Sequence, residues 1–219
     1  TPYWLQQAYA DAIDASDTGI LRRNERNARL VIRVLLMLQA LHGRVIDCAG
    51  GYGILVRMLR DRGVQALWHD RYCSNLLARG FEAASDAQAD LVTAFEAIEH
   101  FVDPLAEMTG LCARAPNILV STSLIPTPAP RPQQWWYYAP EAGQHIGFYR
   151  LRTLRHLASR LGRHLYSDGK AYHLFTSEPV ARWRWRLARA TTPLGPLVAR
   201  LRLRTLVWDD HASAKTHRT

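Results

Sequence analysis

Apolar residues recur along this chain with two periods, and the periods alternate. Trp4, Leu5, Ala8, Tyr9, Ala12 and Ile13 share one side of a helix predicted over residues 3–18, which Asp17-Thr18-Gly19 breaks. A second helix follows over roughly 24–42 and stops at Gly43. RVIDCA then reads as a buried strand, ILVRMLRDRG as a helix closed by glycine, and QALWHD as a second strand. Residues 73–79 suggest a short helix, and ADLVTAFEAI a strand. Asp103-Pro104 marks a helix start, because aspartate caps free N–H groups and proline suits the first turn. That helix runs to about Arg114, and NILVSTSLI is a further strand. Such alternation implies an α/β fold, a parallel sheet with helices on both faces.

Beyond Ile125 the pattern changes. PTPAPRPQQWWYYAPEAGQH is rich in proline and aromatics and reads as a long loop or lid over residues 126–150. A helix at about 152–161 precedes GRHLYSDGKAYHLFTS, a hairpin turning at Asp168-Gly169 and placed as an antiparallel sheet edge. The expected organisation is an N-terminal helical cap (1–43), a central domain (44–180) and a separate basic C-terminal segment (181–219).

Charge and cysteines narrow the setting. Of 219 residues, 28 are Lys or Arg and 19 are Asp or Glu, a net charge of +9, and Lys170 and Lys215 are the only lysines. The excess gathers in the last forty or so residues, so it belongs to the tail rather than to the central domain. Cys48, Cys73 and Cys112 are widely spaced, with no zinc-type spacing, and an odd count argues against a disulfide framework. A reducing cytoplasm fits, with a peripheral seat at the inner membrane surface as the alternative. No basic segment followed by an apolar core marks a signal peptide, and LVIRVLLMLQAL is too short to span a bilayer.

The chemistry starts at VIDCAGGYG, where a strand ends in glycines before a helix. Ligands of parallel sheets bind beyond the carboxyl ends of the strands, and glycine lets backbone approach them. Gly51-Tyr52-Gly53 is followed by Ile54, Leu55 and Val56, so the third glycine of a dinucleotide turn is absent, as is the lysine of a P-loop. The stretch resembles the first motif of class I S-adenosylmethionine (SAM) methyltransferases, with Asp47, Gly51 and Gly53 on the pattern and Ala49 where the family usually has its first glycine. Asp70, at the end of the second strand, matches the family's ribose-binding acid, and a carboxylate suits a neutral diol and repels a phosphate. FEAIEHFVDP is similar to the fourth-strand motif of small-molecule O-methyltransferases of the ubiquinone type. The resemblance covers about residues 44–176. A narrower one, through WWYYAPEAGQHIGFY and LRTLRHLASRLG, is to bacterial methyltransferases of glycan or natural-product assembly. It implies a Rossmann-like fold, SAM as cofactor, and a small-molecule or glycan acceptor methylated on oxygen or nitrogen.

On that resemblance the cofactor is held by Asp47, Ala49, Gly50, Gly51, Tyr52, Gly53, Asp70 and Arg71, with Phe95 and Glu96 on the other side. The alternative is a tight turn alone, with Asp70 a solvated loop residue. A hydroxyl acceptor must lose a proton, and His145, Glu99 and His100 are the catalytic candidates. If the chain turns helical after the strand, Glu96, Glu99 and His100 share one face. With His145 they could hold one divalent ion, magnesium or manganese, as in small-RNA 2′-O-methyltransferases. The blander reading makes Glu96 a cofactor contact, Glu99 a helix-start carboxylate and His100 a buried, hydrogen-bonded histidine. His145 is then a metal-free base or a packing residue. Trp135, Trp136, Tyr137 and Tyr138 cannot all face inward; some line an acceptor pocket, or two are core and two cover the lid.

RWRWRLARA and LVARLRLRTL leave three readings: a membrane-surface helix, an RNA contact, or a helix packed on the domain or a second subunit. No RNA-module signature is present, so nucleic acid is disfavoured. Rival functions are a metal-dependent RNA 2′-O-methyltransferase and a catalytically silent partner of a membrane glycan-assembly complex.

Overall fold

The computed structural model describes residues 18–139 and 145–216. The helix expected over 3–18 therefore lies outside the described residues. The elements in chain order are α1 (Ile20–Met37), β1 (Arg44–Cys48), α2 (Ile54–Asp61), β2 (Gln65–His69), β3 (Leu91–Phe95), α3 (Pro104–Arg114) and β4 (Asn117–Ser121). α4 (Leu151–Arg160), β5 (His164–Ser167), β6 (Tyr172–Thr176), α5 (Arg182–Ala190), α6 (Gly195–Arg202) and α7 (Val207–Thr216) complete them. The six strands are ordered β2-β1-β3-β4-β6-β5. The first four are parallel; β6 runs antiparallel to β4, and β5 antiparallel to β6. This is the Rossmann-like sheet that the alternating periods imply, with its antiparallel edge hairpin.

Neighbouring residues of each strand point to opposite faces, and both faces are covered. Val45, Leu91, Leu119 and Leu174 pack with Leu30, Val31 and Leu35 of α1 and Val56 and Leu59 of α2. Ile46, Val92, Ile118 and Phe175 pack with Met108 of α3 and Leu154 and Leu157 of α4. The continuous apolar runs of β1, β3 and β4 reflect this two-sided burial. Asp103 caps α3 as expected, its carboxylate accepting from Leu105 N and Ala106 N.

The structure differs from the sequence reading at three places. α1 begins at Ile20 and ends at Met37, because Gln39 turns left-handed (φ 61°) while its neighbour Ala40 N bonds back to Leu35 O. Residues 73–79 are not helical. The Asp70 carboxylate takes Tyr72 N and Cys73 N, the Asn75 side chain brackets Ala78, and Leu76 N and Leu77 N donate to Tyr52 O. Those N–H groups hold the β2–β3 connection against the glycine turn instead of forming a helix.

The third difference is the basic segment, which is not separate. Trp185 and Ala188 of α5 and Ala199 of α6 are buried in the same core as α1. Gly195 sits so close to α1 that a Cβ there would meet Arg29 O at 2.6 Å. α7 is tied down by Asp210, whose carboxylate accepts from Arg60 Nε (2.8 Å) and Nη2 (2.6 Å) and from Arg57 Nη2 (2.6 Å). The Arg60 guanidinium also lies 3.6 Å over the Phe81 ring. Burial alone would raise the Asp210 pKa, but the hydrogen bonds and charges of Arg60 and Arg57 together outweigh it and hold it below the ordinary value.

Asp210→Ala leaves Arg60 buried without its partner, so equilibrium denaturation should report a loss of about 3 kcal/mol. The linked part of this stability is present above the ordinary carboxylate value of 3.8 and disappears as pH falls through the depressed one. An acid titration of unfolding should therefore be shallower in Asp210→Ala than in the wild type.

Candidate active site

A cleft of about 520 Å³ opens beyond the carboxyl ends of β1, β2 and β3 and against α3. Its floor is the turn after β1, and that turn is held by the end of β2. The Trp68 indole N–H donates to Gly51 O (2.8 Å). Its ring leaves no room for a side chain at Gly50, where a Cβ would meet Trp68 Cδ1 at 2.7 Å. Asp70 Oδ2 accepts from Gly51 N (2.9 Å), and Oδ1 from Tyr72 N (2.8 Å) and Cys73 N (3.0 Å). Gly53 (φ +85°) presses on the β2–β3 connection, where a Cβ would meet Asn75 Oδ1 at 2.7 Å. At Gly51 (φ +51°) a Cβ would meet nothing within 4 Å among the described residues, so this glycine borders the cleft. Ala49 has a left-handed backbone (φ 62°), the conformation that glycine adopts without strain.

Of the expected cofactor residues, Ala49, Gly51, Asp70, Arg71 and Glu96 line the cleft. Gly50, Tyr52, Gly53 and Phe95 do not: the two glycines shape the turn, Tyr52 O anchors the connection, and Phe95 packs edge-on against Tyr172. Asp47 lies beneath the floor, where its Oδ1 accepts the Thr93 hydroxyl (2.6 Å). Burial pushes its pKa up to about 7; the Thr93 bond opposes the rise and the nearby Asp70 charge adds to it. Tyr72, Phe101, Val102, Leu111 and Arg114 also line the cleft and were missed. Tyr72 and Val102 are exposed apolar side chains immediately after the two motifs, a placement that could have signalled them.

The second half of the site forms where β3 ends. The chain does not turn helical at Glu96, which has a left-handed backbone (φ 49°); a 3-10 turn covers Ile98–His100. Glu96 thus points away from the face it was expected to share. Its Oε1 accepts the Ser121 hydroxyl (2.6 Å), and its Oε2 lies 3.3 Å from the Tyr137 hydroxyl. One ligand atom each from Glu99, His100 and His145 lies within 4.8 Å of the others, and Glu96 stands outside this group. The expected four-residue metal set therefore reduces to three.

The lid supplies the roof. Tyr137 is buried and donates to Glu99 Oε1 (2.5 Å), and Thr122 Oγ1 is 3.3 Å away. His145 Nδ1 lies 2.7 Å from Tyr137 O, and the His145 and His100 rings meet edge-on at 4.9 Å. Ile146 N and Gly147 N both donate to Glu99 O, docking the returning lid strand on the turn (2.9 Å each). Trp135 meets Phe148 tilted and Tyr138 meets it edge-on, while Trp136 is 78% exposed. The four adjacent aromatics therefore divide into one buried, two half-buried and one outward, and none of them lines the cleft.

Glu99 is fully buried, and its Oε2 has no hydrogen-bond partner among the described residues. Burial first, then repulsion from Glu96, pushes its pKa up to about 8 against the Tyr137 bond. Burial and the two glutamates raise the Tyr137 phenol as well. A carbonyl only accepts, so the His145 Nδ1 beside Tyr137 O carries a proton, and in the neutral ring Nε2 is the nitrogen with the lone pair.

A profile described as a methyltransferase domain matches residues 20–167. Among curated protein sequences nothing matches. Among solved structures, an O-methyltransferase family protein from Burkholderia thailandensis superposes with a TM-score of 0.54 at 12% identity, covering 78% of this chain and 61% of that one. An O-methyltransferase family 2 protein from Planctomyces limnophilus, in complex with apigenin, reaches 0.45 at 12% identity over 69% of this chain and 62% of that one. At such identities the similarity concerns the fold, and the chain spans about three-fifths of the length of these structures.

Two outcomes follow from the site's geometry. Ala49→Gly should leave the melting temperature within a few degrees of wild type, because relief of the left-handed strain offsets the greater freedom of the unfolded chain. Gly50→Ala, which drives a methyl into Trp68, should lower it by several degrees. Glu99 binds an extra proton in the folded state between its ordinary value of 4.5 and about 8. The associated stability is present below the lower value and is lost as pH rises through the upper one. Denaturation at about pH 6 and about pH 9 should show a smaller loss in Glu99→Gln than in the wild type.

Proposed function

The chain belongs to the methyltransferase-domain family, and on that premise we propose that it methylates an oxygen of a small-molecule or glycan acceptor bound under the aromatic lid. One observation carries the reading. The cleft runs from Gly51 and Asp70 to Glu96 and His100, and His100 is in ring contact with His145. The cofactor groups thus share the cleft with Glu96 and His100, and His145 stands directly behind His100.

The residues present fit SAM. The space bordering Gly51 is a cradle that any side chain would fill. Three backbone N–H groups orient Asp70 and leave an acceptor position on Oδ2 for a ribose hydroxyl. Tyr72 and Val102, exposed at the mouth, suit the faces of an adenine ring. When bound, SAM supplies a methyl group activated on sulfur, and no covalent enzyme intermediate is required. The chain's own residues must then align the acceptor and remove its proton. His145 takes the hydroxyl proton at Nε2 while Tyr137 O holds Nδ1–H, and the oxygen electron pair is freed for the methyl.

A second reading rests on Glu99 Oε2, which no group among the described residues pairs. A divalent ion held by Glu99, His100 and His145 would acidify the acceptor hydroxyl in place of the base. One carboxylate with two imidazoles suits zinc or manganese better than magnesium.

Incubating the protein with labelled SAM and fractionated small-molecule and glycan extracts should give a labelled product. His145→Ala should lose on the order of 10²–10⁴-fold in turnover while keeping cofactor affinity. Asp70→Ala should lose cofactor affinity itself. Titration with zinc or manganese separates the two readings: an ion in the site must displace the Glu99 proton, so binding should release protons at neutral pH. No metal uptake would leave the base mechanism alone.

A further inference from the structure

The basic segment has a face that its packing does not use. α5 turns Trp185 and Ala188 inward to the core it shares with α1, and α6 turns Gly195 and Ala199 inward. At roughly 100° per residue, Trp183 and Leu187 of α5, and Leu197 and Leu201 of α6, stand on the opposite arcs. All four are exposed, Trp183 to 65% and Leu201 to 71%, and Leu194 joins them from the turn between the helices. Arg182, Arg186, Arg200 and Arg202 are exposed around them. Between Glu178 and Asp209 the chain carries Arg182, Arg184, Arg186, Arg189, Arg200, Arg202 and Arg204 and no carboxylate side chain.

We propose that the outward face of α5 and α6 docks the protein on an anionic phospholipid surface, with Trp183, Leu187, Leu197 and Leu201 in the headgroup boundary and the arginines on the lipid phosphates. Arginine fits because its planar fork binds phosphate bidentately and its stem lies along apolar surface. Tryptophan fits because its ring prefers the wet edge of a bilayer. The charge argues against the other occupants. A second copy would bring two arginine faces together with no acid to offset them. A groove for RNA would need stacked rings in a track, and here leucines separate Trp183 from the arginines of α6. No described helix is long and apolar enough to cross a membrane, so the contact is a surface one. The cleft lies at the carboxyl edge of the sheet and shares no lining residue with this face, so docking leaves the cofactor site open.

The test is co-sedimentation of the full chain with vesicles of phosphatidylcholine alone and of three parts phosphatidylcholine to one part phosphatidylglycerol. Binding should appear with the anionic vesicles only and fall as salt rises. Arg182→Gln with Arg186→Gln should lower partitioning roughly thirtyfold, and Trp183→Ser with Leu187→Ser about tenfold. These side chains are exposed, so the variants should melt like wild type and bind S-adenosylhomocysteine equally well, which keeps this outcome apart from that of the methyltransferase reading. Equal partitioning to both vesicle types, or binding that survives both double substitutions, overturns the proposal. So does a dimer of the free chain that Trp183→Ser with Leu187→Ser abolishes, or tighter binding to an RNA oligomer than to the anionic vesicles.

Discussion

The site depends on how the end of β2 grips the turn after β1. Trp68 donates to Gly51 O, Asp70 accepts from Gly51 N, and the Trp68 ring occupies the space a side chain at Gly50 would need. A turn of three glycines has many conformations open to it, and these contacts select one. The same carboxylate takes Tyr72 N and Cys73 N, so one residue shapes both walls of the cleft. The cradle is therefore formed by the protein alone, and a ligand has little left to organise.

The far wall relies on burial rather than on strong pairing. The Tyr137 hydroxyl has one proton and three oxygens in reach, on Glu99, Glu96 and Thr122. Glu99 is fully buried, and burial first, then the charge of Glu96 beside it, keeps its proton on into the neutral range. Beside this pair, His145 commits Nδ1 to the lid backbone and leaves Nε2 as the nitrogen open to an acceptor. Lid closure, the tautomer of His145 and the charge of the acid pair are thus set by the same few contacts around Tyr137.

Much of this was legible in the sequence. Period and glycine placement gave the strands, the helices on both faces and the edge hairpin, because burial on both sides leaves an unbroken apolar run. Asp70 and Gly51 could be found from their positions at strand ends. Asp47 has the right position but serves beneath the floor, since a strand's penultimate residue faces the neighbouring strand as readily as the ligand. Glu96 was misplaced because a left-handed residue after β3 interrupts the helical spacing, and nothing in a glutamate announces that conformation. Leu76, Leu77, Ala78 and Arg79 are helix-forming residues, yet the N–H groups of this stretch are taken by Asp70, by the Asn75 side chain and by the distant Tyr52 O. The tail's inner face, Trp185, Ala188 and Ala199, is visible as a periodic stripe, but the Arg60–Asp210 tie spans 150 residues and only the fold reveals it.

The central claim is that the crevice under Asp70 is shaped for an adenosine bearing a sulfur chain, and titration calorimetry with S-adenosylhomocysteine, with a nicotinamide dinucleotide as comparator, addresses it most directly. The account predicts one saturable site for the thioether nucleoside, lost in Asp70→Ala, and no heat from the dinucleotide. A dinucleotide that binds while S-adenosylhomocysteine does not would contradict it.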